Sequence, residues 1–306
     1  MIIASIDIGT NTILLLIAEI TEGSKIIKTI LNEYRMPRIG KGLLPGNPVS
    51  EDRISSMKVI ISEYKKIIEQ NKCDKVLVNA TNAFRIASNR DELVAIVQSI
   101  LGVKPEVING KTEAEYAFLG SVSEYLQSGK TGGVIDIGGG STEITLGKMD
   151  DILFSHSFPF GVVSLSEKYF KNNPPLDSEI NEMKNEIKKR ISFIPSGIPL
   201  SALVGVAGTP TSLSCISQNL QEYSDELVEG SKLSLKHLFE IEKYFSVETT
   251  EDLLAAYPKI LPGREDLIFS GLIILKTVME YLTVPELIVS SKGIRYGAIA
   301  NYIKNI

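Results

Sequence analysis

Two stretches of this chain carry the same arrangement of groups suited to gripping a phosphate. Ile6-Asp7-Ile8-Gly9-Thr10-Asn11-Thr12 lies near the start, and Ile135-Asp136-Ile137-Gly138-Gly139-Gly140-Ser141-Thr142 lies near the middle. Each ends an apolar β-branched run with an aspartate and then turns through glycine and hydroxyl residues, whose backbone N–H groups can point at an anion. Asp7 and Asp136 would add hard oxygen ligands for Mg2+. A single glycine after a strand is as readily a plain turn. Matched copies, the second with three consecutive glycines, favour close approach of a ligand to the main chain. The phosphate-binding candidates are therefore Gly9, Thr10, Asn11, Thr12, Gly138, Gly139, Gly140, Ser141 and Thr142. A third glycine turn, Gly205-Val206-Ala207-Gly208-Thr209, follows a strand and precedes a predicted helix. Gly208 and Thr209 suit an anion at that helix N-terminus and a close helix–strand contact equally well.

Hydrolysis of a phosphoanhydride needs an activated water, a metal to spread charge, and cationic or amide groups on the phosphoryl oxygens. Glu143 sits just past the second turn, Glu113 opens a predicted helix at Thr112-Glu113-Ala114-Glu115, and Arg85 lies in a polar turn after a central strand. Each also has an ordinary reading: an exposed strand residue, a helix-dipole partner and a surface ion pair, respectively. His156 and His237 share no metal-ligand spacing and read as ordinary polar residues.

The elements that position these groups follow from hydrophobic periodicity. Residues 2–20 read as two strands around the first turn, with a third from Lys25 to Tyr34. Ile54, Met57, Ile61, Tyr64 and Ile68 repeat at helical spacing behind Ser50 as a cap. Strands at Lys75–Ala80 and Lys104–Ile108 alternate with helices at Arg90–Leu101 and Thr112–Leu126. The second half repeats the scheme, with strands at 133–146, Ile152–Phe158, Ala202–Val206 and Glu286–Val289 and helices at Val162–Phe170, Ser178–Ile194, Leu235–Phe245 and Asp266–Leu282, and one more after Gly293. Such alternation predicts an α/β architecture with ligands at the carboxyl ends of the strands. The apolar run Phe269–Val278 suits either a core helix or a homodimer surface.

Composition bounds the rest. The 306 residues exceed the usual reach of one core, which predicts two domains. Apolar residues at 43% and charged residues at 23% fit a folded enzyme. The net charge of -5 argues against nucleic acid polymers and acidic membranes as partners. Cys73 and Cys215 are too few for a disulfide framework, and the chain opens on strand-like residues without a basic leader; both features point to a cytoplasmic protein.

The combined motifs resemble the exopolyphosphatase and guanosine pentaphosphate phosphohydrolase family, within the actin, sugar kinase and Hsp70 ATPase superfamily. The residues that carry the resemblance are Asp7 to Thr12, Ala80 to Arg85, Asn109 to Ala114, Asp136 to Glu143, Ala207-Gly208-Thr209, and Gly293-Ile294-Arg295-Tyr296-Gly297. It implies two RNase H-like domains flanking an active-site cleft, one over 1–125 and one over 126–292, with a last helix at about 293–306 packing back on the first. It further implies Glu113 as general base, Glu143 as second catalytic glutamate, and Arg85 on the phosphate under attack. Asp136, Asp7 and Glu143 would hold Mg2+ or Mn2+. Two positions depart from the family pattern: Thr112 replaces the first of two glutamates, and Tyr296 replaces an acidic residue. The C-terminal HD-like region of long members is expected to be missing. These features imply release of terminal phosphate from short polyphosphate, with guanosine pentaphosphate as the alternative substrate. A non-catalytic alarmone or nucleotide sensor and an ATP-dependent kinase are the competing classes.

Overall fold

A computed structural model of the chain describes residues 1–21, 27–122, 124–127, 129–149 and 151–305. The molecule divides into two compact units, one of Met1–Gly120 with Ile294–Ile306 and the other of Ser121–Gly293. In the first unit the opening apolar runs form an antiparallel meander of β1 (Ile2–Ile8), β2 (Ile13–Ile20) and β3 (Ile27–Arg35). Lys25 and Ile26 of the expected third strand lie outside the described residues. Helix α1 (Glu51–Gln70) buries Ile54, Met57, Ile61, Tyr64 and Ile68, the positions whose spacing predicts it. Ser50 takes the N-cap position, but contrary to expectation its side chain makes no capping hydrogen bond.

β4 (Lys75–Ala80) pairs parallel with β1. The polar turn after it contains a short helix, α2 (Asn82–Ile86), too brief to show a period, and this helix carries Arg85. Helix α3 (Arg90–Leu101) stops at Gly102, whose left-handed φ of 73° suits glycine. β5 is only Glu106–Val107, shorter than the expected 104–108, because Pro105 has no N–H for the ladder. Helix α4 (Gly110–Ser121) ends before the expected Leu126. There the amides of Tyr125 and Leu126 both bond the Val122 carbonyl, and the Tyr125 hydroxyl donates to Glu229, so tertiary contacts override local helix preference.

The second unit repeats the meander with β6 (Gly132–Ile137), β7 (Thr142–Lys148) and β8 (Asp151–Phe158). Then follow α5 (Val162–Tyr169), α6 (Asp177–Ile191), β9 (Ala202–Val206), α7 (Gly208–Ser217) and α8 (Asp225–Val228). The unit closes with β10 (Lys232–Ser234), α9 (Leu235–Phe245), α10 (Thr250–Ala256), α11 (Ile268–Tyr281) and β11 (Glu286–Val289). Residues Ile268 to Met279 of α11 are all buried, among the cluster that includes Leu213, Phe245 and Leu287. That helix is core, and the dimer-surface reading of 269–278 is corrected accordingly. No helix among the described residues is long and apolar enough to cross a membrane.

The strand orders match. The first sheet runs β3-β2-β1-β4-β5, and the second runs β10-β11-β9-β6-β7-β8, so reading outward from β8 gives the same antiparallel meander followed by parallel neighbours. This is the RNase H-like order expected from the resemblance, present once in each unit. The last helix, α12 (Ile294–Lys304), belongs to the first unit, where Tyr296 and Ile299 pack on Ile3, Leu16, Ala18 and Ile20.

α12 meets α4 at closer range than any side chain allows. A Cβ on Gly297 would lie 1.9 Å from the Tyr116 carbonyl oxygen, a backbone atom that cannot swing aside. Gly297→Ala is therefore expected to destabilise the protein by about 1–3 kcal/mol or more, read from urea unfolding midpoints. An unchanged midpoint would contradict this packing.

Candidate active site

Strand alternation decides which groups can meet in the first unit. Ala4, Ile6 and Ile8 of β1 enter the core beneath α1, whereas Ile3 packs with Tyr296 and Ile299 of α12. Period two places Asp7 on the Ile3 face, at the carboxyl end of the strand. β4 ends alongside, with Ile8 opposite Ala80, and the Thr81 amide bonds the Ile8 carbonyl. The next strand finishes there too, since the Ile108 amide bonds the Ala80 carbonyl. From this edge α2 supplies Arg85 and α4 supplies Glu113.

Arg85 and Glu113 form a half-buried ion pair with Nη1 to Oε2 at 2.5 Å, and the same guanidinium nitrogen donates to the Ile108 carbonyl at 3.0 Å. The surface-ion-pair reading of Arg85 is thereby replaced. The start of α4 is held by Asn109, whose side-chain oxygen accepts from the Thr112 amide at 3.0 Å. Glu113 is only 5% exposed, and burial raises its carboxyl above the ordinary range even though Arg85 and the Thr81 hydroxyl favour the charged form. Asp7 is pushed up to about 7, first by burial, then by the Glu113 charge, with Arg295 and Arg85 opposing. Its Oδ1 is buried with no hydrogen-bond partner among the described residues.

The two glycine turns are copies in geometry as well as in sequence. β1 and β2 close at Ile8 opposite Ile13, and β6 and β7 close at Ile137 opposite Thr142, so each turn has four residues. Gly9 N–H bonds the Thr12 carbonyl at 2.9 Å, and Gly138 N–H bonds the Ser141 carbonyl at 2.9 Å. Each turn is pinned from behind through its carbonyls. Thr10 and Asn11 accept from the amides of Gly40 and Arg38, while Gly138 and Gly139 accept from Val162 and Val163 at the start of α5. A Cβ on Gly161 would lie 2.3 Å from the Gly138 carbonyl oxygen, so this seat requires glycine. Among the described residues, the amides of Thr10, Asn11 and Thr12, and of Gly139, Gly140 and Ser141, donate to no protein group. Two runs of three amides are thus left to meet an acceptor.

In the second unit Asp136 stands directly opposite Glu143 across β6 and β7, at 6% and 2% exposure. Directly opposed residues share a face, so two buried carboxylates are neighbours. Glu143 is therefore not an exposed strand residue. Thr142 donates its hydroxyl to the Phe160 carbonyl at 2.8 Å, which ties the turn to the segment before α5. β9 ends beside Asp136, with Val206 as its partner, and leads directly into Gly208 and Thr209. The close-packing reading of that third turn is seen directly: Pro210 and Leu287 crowd Gly205, and the Arg264 guanidinium fills the space beside Gly208. Arg264 Nη1 donates to the Gly208 carbonyl at 3.1 Å and to Ser212 Oγ at 3.0 Å.

The first unit thus gathers Asp7, Arg85 and Glu113, and the second gathers Asp136, Glu143 and the Gly208 turn. Thr81, Arg264, Arg295 and Ser157 were not given roles from the sequence. Arg295 is 5% exposed and bonds the Asn32 side chain and the Leu15 carbonyl. Its signal in the sequence is its place in the motif Gly293-Ile294-Arg295-Tyr296-Gly297, as a basic residue in an otherwise apolar stretch.

Asp7 links this site to stability. The folded protein keeps a proton on Asp7 up to about pH 7, whereas the unfolded chain releases it near 3.8. The stabilisation from this group is full below pH 4 and is lost as pH rises through 7. With EDTA present, Asp7→Asn is expected to exceed the parent at pH 8 by on the order of 2–4 kcal/mol, with no advantage remaining near pH 4. Chemical denaturation at both pH values checks this; equal stability at pH 8 would mean that Asp7 ionises at its ordinary pKa.

Comparison with known proteins agrees with this construction. Residues 16–305 match the Ppx/GppA phosphatase family. Exopolyphosphatase 2 of Mycobacterium tuberculosis is 31% identical over 92% of this chain and 90% of its own length. A guanosine-5'-triphosphate,3'-diphosphate pyrophosphatase of Pseudoalteromonas translucida is 29% identical over 99% of this chain, which spans 59% of that protein. The crystal structure of the Aquifex aeolicus Ppx/GppA family member superposes with a TM-score of 0.85 at 31% identity, covering 100% of this chain and 98% of that one. The duplicated glycine turns, the buried carboxylates and these likenesses place the chain in the Ppx/GppA phosphatase family of phosphohydrolases.

Proposed function

We propose that this protein is a cytoplasmic exopolyphosphatase-type phosphohydrolase that releases terminal phosphate from short polyphosphate by water attack, with its two compact units as the two domains. The observation that carries this reading is the cluster of buried Asp7 and Glu113 with half-buried Arg85 at the edge where the first glycine turn leaves its amides unsatisfied. Glu113 is the general base: a carboxylate raised by burial takes a proton from water more readily than an ordinary one. Arg85 orients that carboxylate and offers charge to the phosphoryl oxygens. The amides of Thr10 to Thr12 and Gly139 to Ser141 bind phosphate, with Gly208 and Thr209 as a further contact. Glu143 is the second catalytic glutamate. The two free cysteines support a reducing compartment.

The donor set fits a hard divalent cation. Asp7 has a buried oxygen without a hydrogen-bond partner, and Asp136 and Glu143 are opposed carboxylates whose repulsion a cation would offset. Among the described residues no group of three His, Cys, Asp or Glu is clustered for a metal. One or two carboxylates, with water and phosphate oxygens in the other positions, is how Mg2+ is usually held. Asp7 in the first unit, and Asp136 and Glu143 in the second, would each be ligands for Mg2+ or Mn2+, which when bound would neutralise charge on the phosphoryl oxygens.

A second substrate, the 5' end of guanosine pentaphosphate, presents the same terminal phosphoanhydride, and the Pseudoalteromonas relative favours keeping it in the test. The likeness over nine-tenths of both chains favours polyphosphate. With Mg2+ and either substrate, Glu113→Gln is expected to lower phosphate release by about 10²–10⁴-fold while substrate binding persists. Phosphate release at the parent's rate would remove Glu113 as base. Tight binding by the parent with no release from either substrate would make the protein a sensor.

A further inference from the structure

β8 alternates two kinds of side chain. Phe154, His156 and Phe158 pack against Phe193 on one face, with His156 edge-on to Phe193 at a centroid distance of 4.9 Å. Ser155 and Ser157 therefore point to the other face, which is the face of Glu143. The register is direct: Ser157 lies opposite Glu143, and Glu143 lies opposite Asp136. A single row across three strands thus reads aspartate, glutamate, serine. The Ser157 hydroxyl donates to Glu143 Oε1 at 2.5 Å. One step along the strand, Ser155 pairs with Thr145 at 3.3 Å instead.

Building on the assignment of Glu143 above, we infer that Ser157 is a positioning residue that fixes the Glu143 carboxylate for catalysis. Glu143 has three rotatable side-chain bonds and an acidic neighbour across the ladder that repels it toward other rotamers. A donor on the far side holds one carboxylate oxygen in place. No other side chain on β8 can do this, because the aromatic residues face away and Ser155 is engaged by Thr145. Ser157 touches neither water nor phosphate in this role. It acts through Glu143 alone.

The test compares Ser157→Ala, Ser157→Thr, Ser155→Ala and Glu143→Gln by steady-state phosphate release from short polyphosphate with Mg2+, alongside thermal unfolding. Ser157→Ala is expected to lower kcat by about 10–100-fold with KM within about threefold and an unchanged unfolding midpoint. Ser157→Thr, which keeps the hydroxyl and suits a strand, is expected to recover most of kcat. Ser155→Ala, which breaks the neighbouring pair, is expected to behave as the parent. If Glu143→Gln is inactive while Ser157→Ala keeps the parent's kcat, the positioning role is overturned. It is also overturned if a folded Ser157→Thr gains nothing over Ser157→Ala, or if Ser155→Ala loses as much. A fully active Glu143→Gln would instead overturn the assignment of Glu143 itself.

Discussion

Burying a carboxylate away from water costs several kcal/mol unless a cation or a set of donors replaces the lost hydration. Four of them, Asp7, Glu113, Asp136 and Glu143, are each less than 10% exposed, and the rest of the structure is arranged around that penalty. In the first unit two arginines offset it. Arg85 pairs directly with Glu113, and Arg295 acts on Asp7 from α12, held by Asn32 and the Leu15 carbonyl. The offset is incomplete, which is why Asp7 rises to about 7. The cation proposed above would supply the positive charge that the two arginines leave short.

The second unit meets the same penalty differently. Asp136 and Glu143 face each other, and the neighbouring strand contributes a hydroxyl through Ser157. The duplication explains the contrast. In the first hairpin the residue opposite Asp7 is Leu14, where the second hairpin has Glu143. The paired acid therefore occurs once, and the first unit draws its second acid, Glu113, from a helix. One repeated frame thus carries two non-equivalent chemical loads.

Rigidity of the turns comes from behind. Carbonyls of the first turn are held by residues 38–40, and those of the second by the first amides of α5. With carbonyls engaged, the remaining amides are fixed in direction before any ligand arrives, which lowers the reorganisation a bound phosphate would demand. The three consecutive glycines are accordingly not explained by ligand approach alone. A Cβ on Gly138 would lie 3.0 Å from the Ser141 carbonyl oxygen, so tightness of the turn itself accounts for part of that glycine content.

Hydrophobic pattern in the chain was enough to define α1, α3 and α9, which bury one face at helical period, and β1, β2, β4 and β9, which are short runs of mostly apolar residues bounded by turns. The repeated Asp-Ile-Gly phrase was likewise enough to mark both turns, since a strand followed by glycine and hydroxyl residues has few other uses. Short elements such as α2, α8 and β10 escaped, having too few residues to establish a period. Tertiary packing sets which polar residues face one another: Arg85 and Glu113, Asp136 and Glu143, Ser157 and Glu143. These partners lie 28, 7 and 14 residues apart. Their contact depends on strand register and helix docking, quantities set by packing of distant apolar faces and not by local residue order.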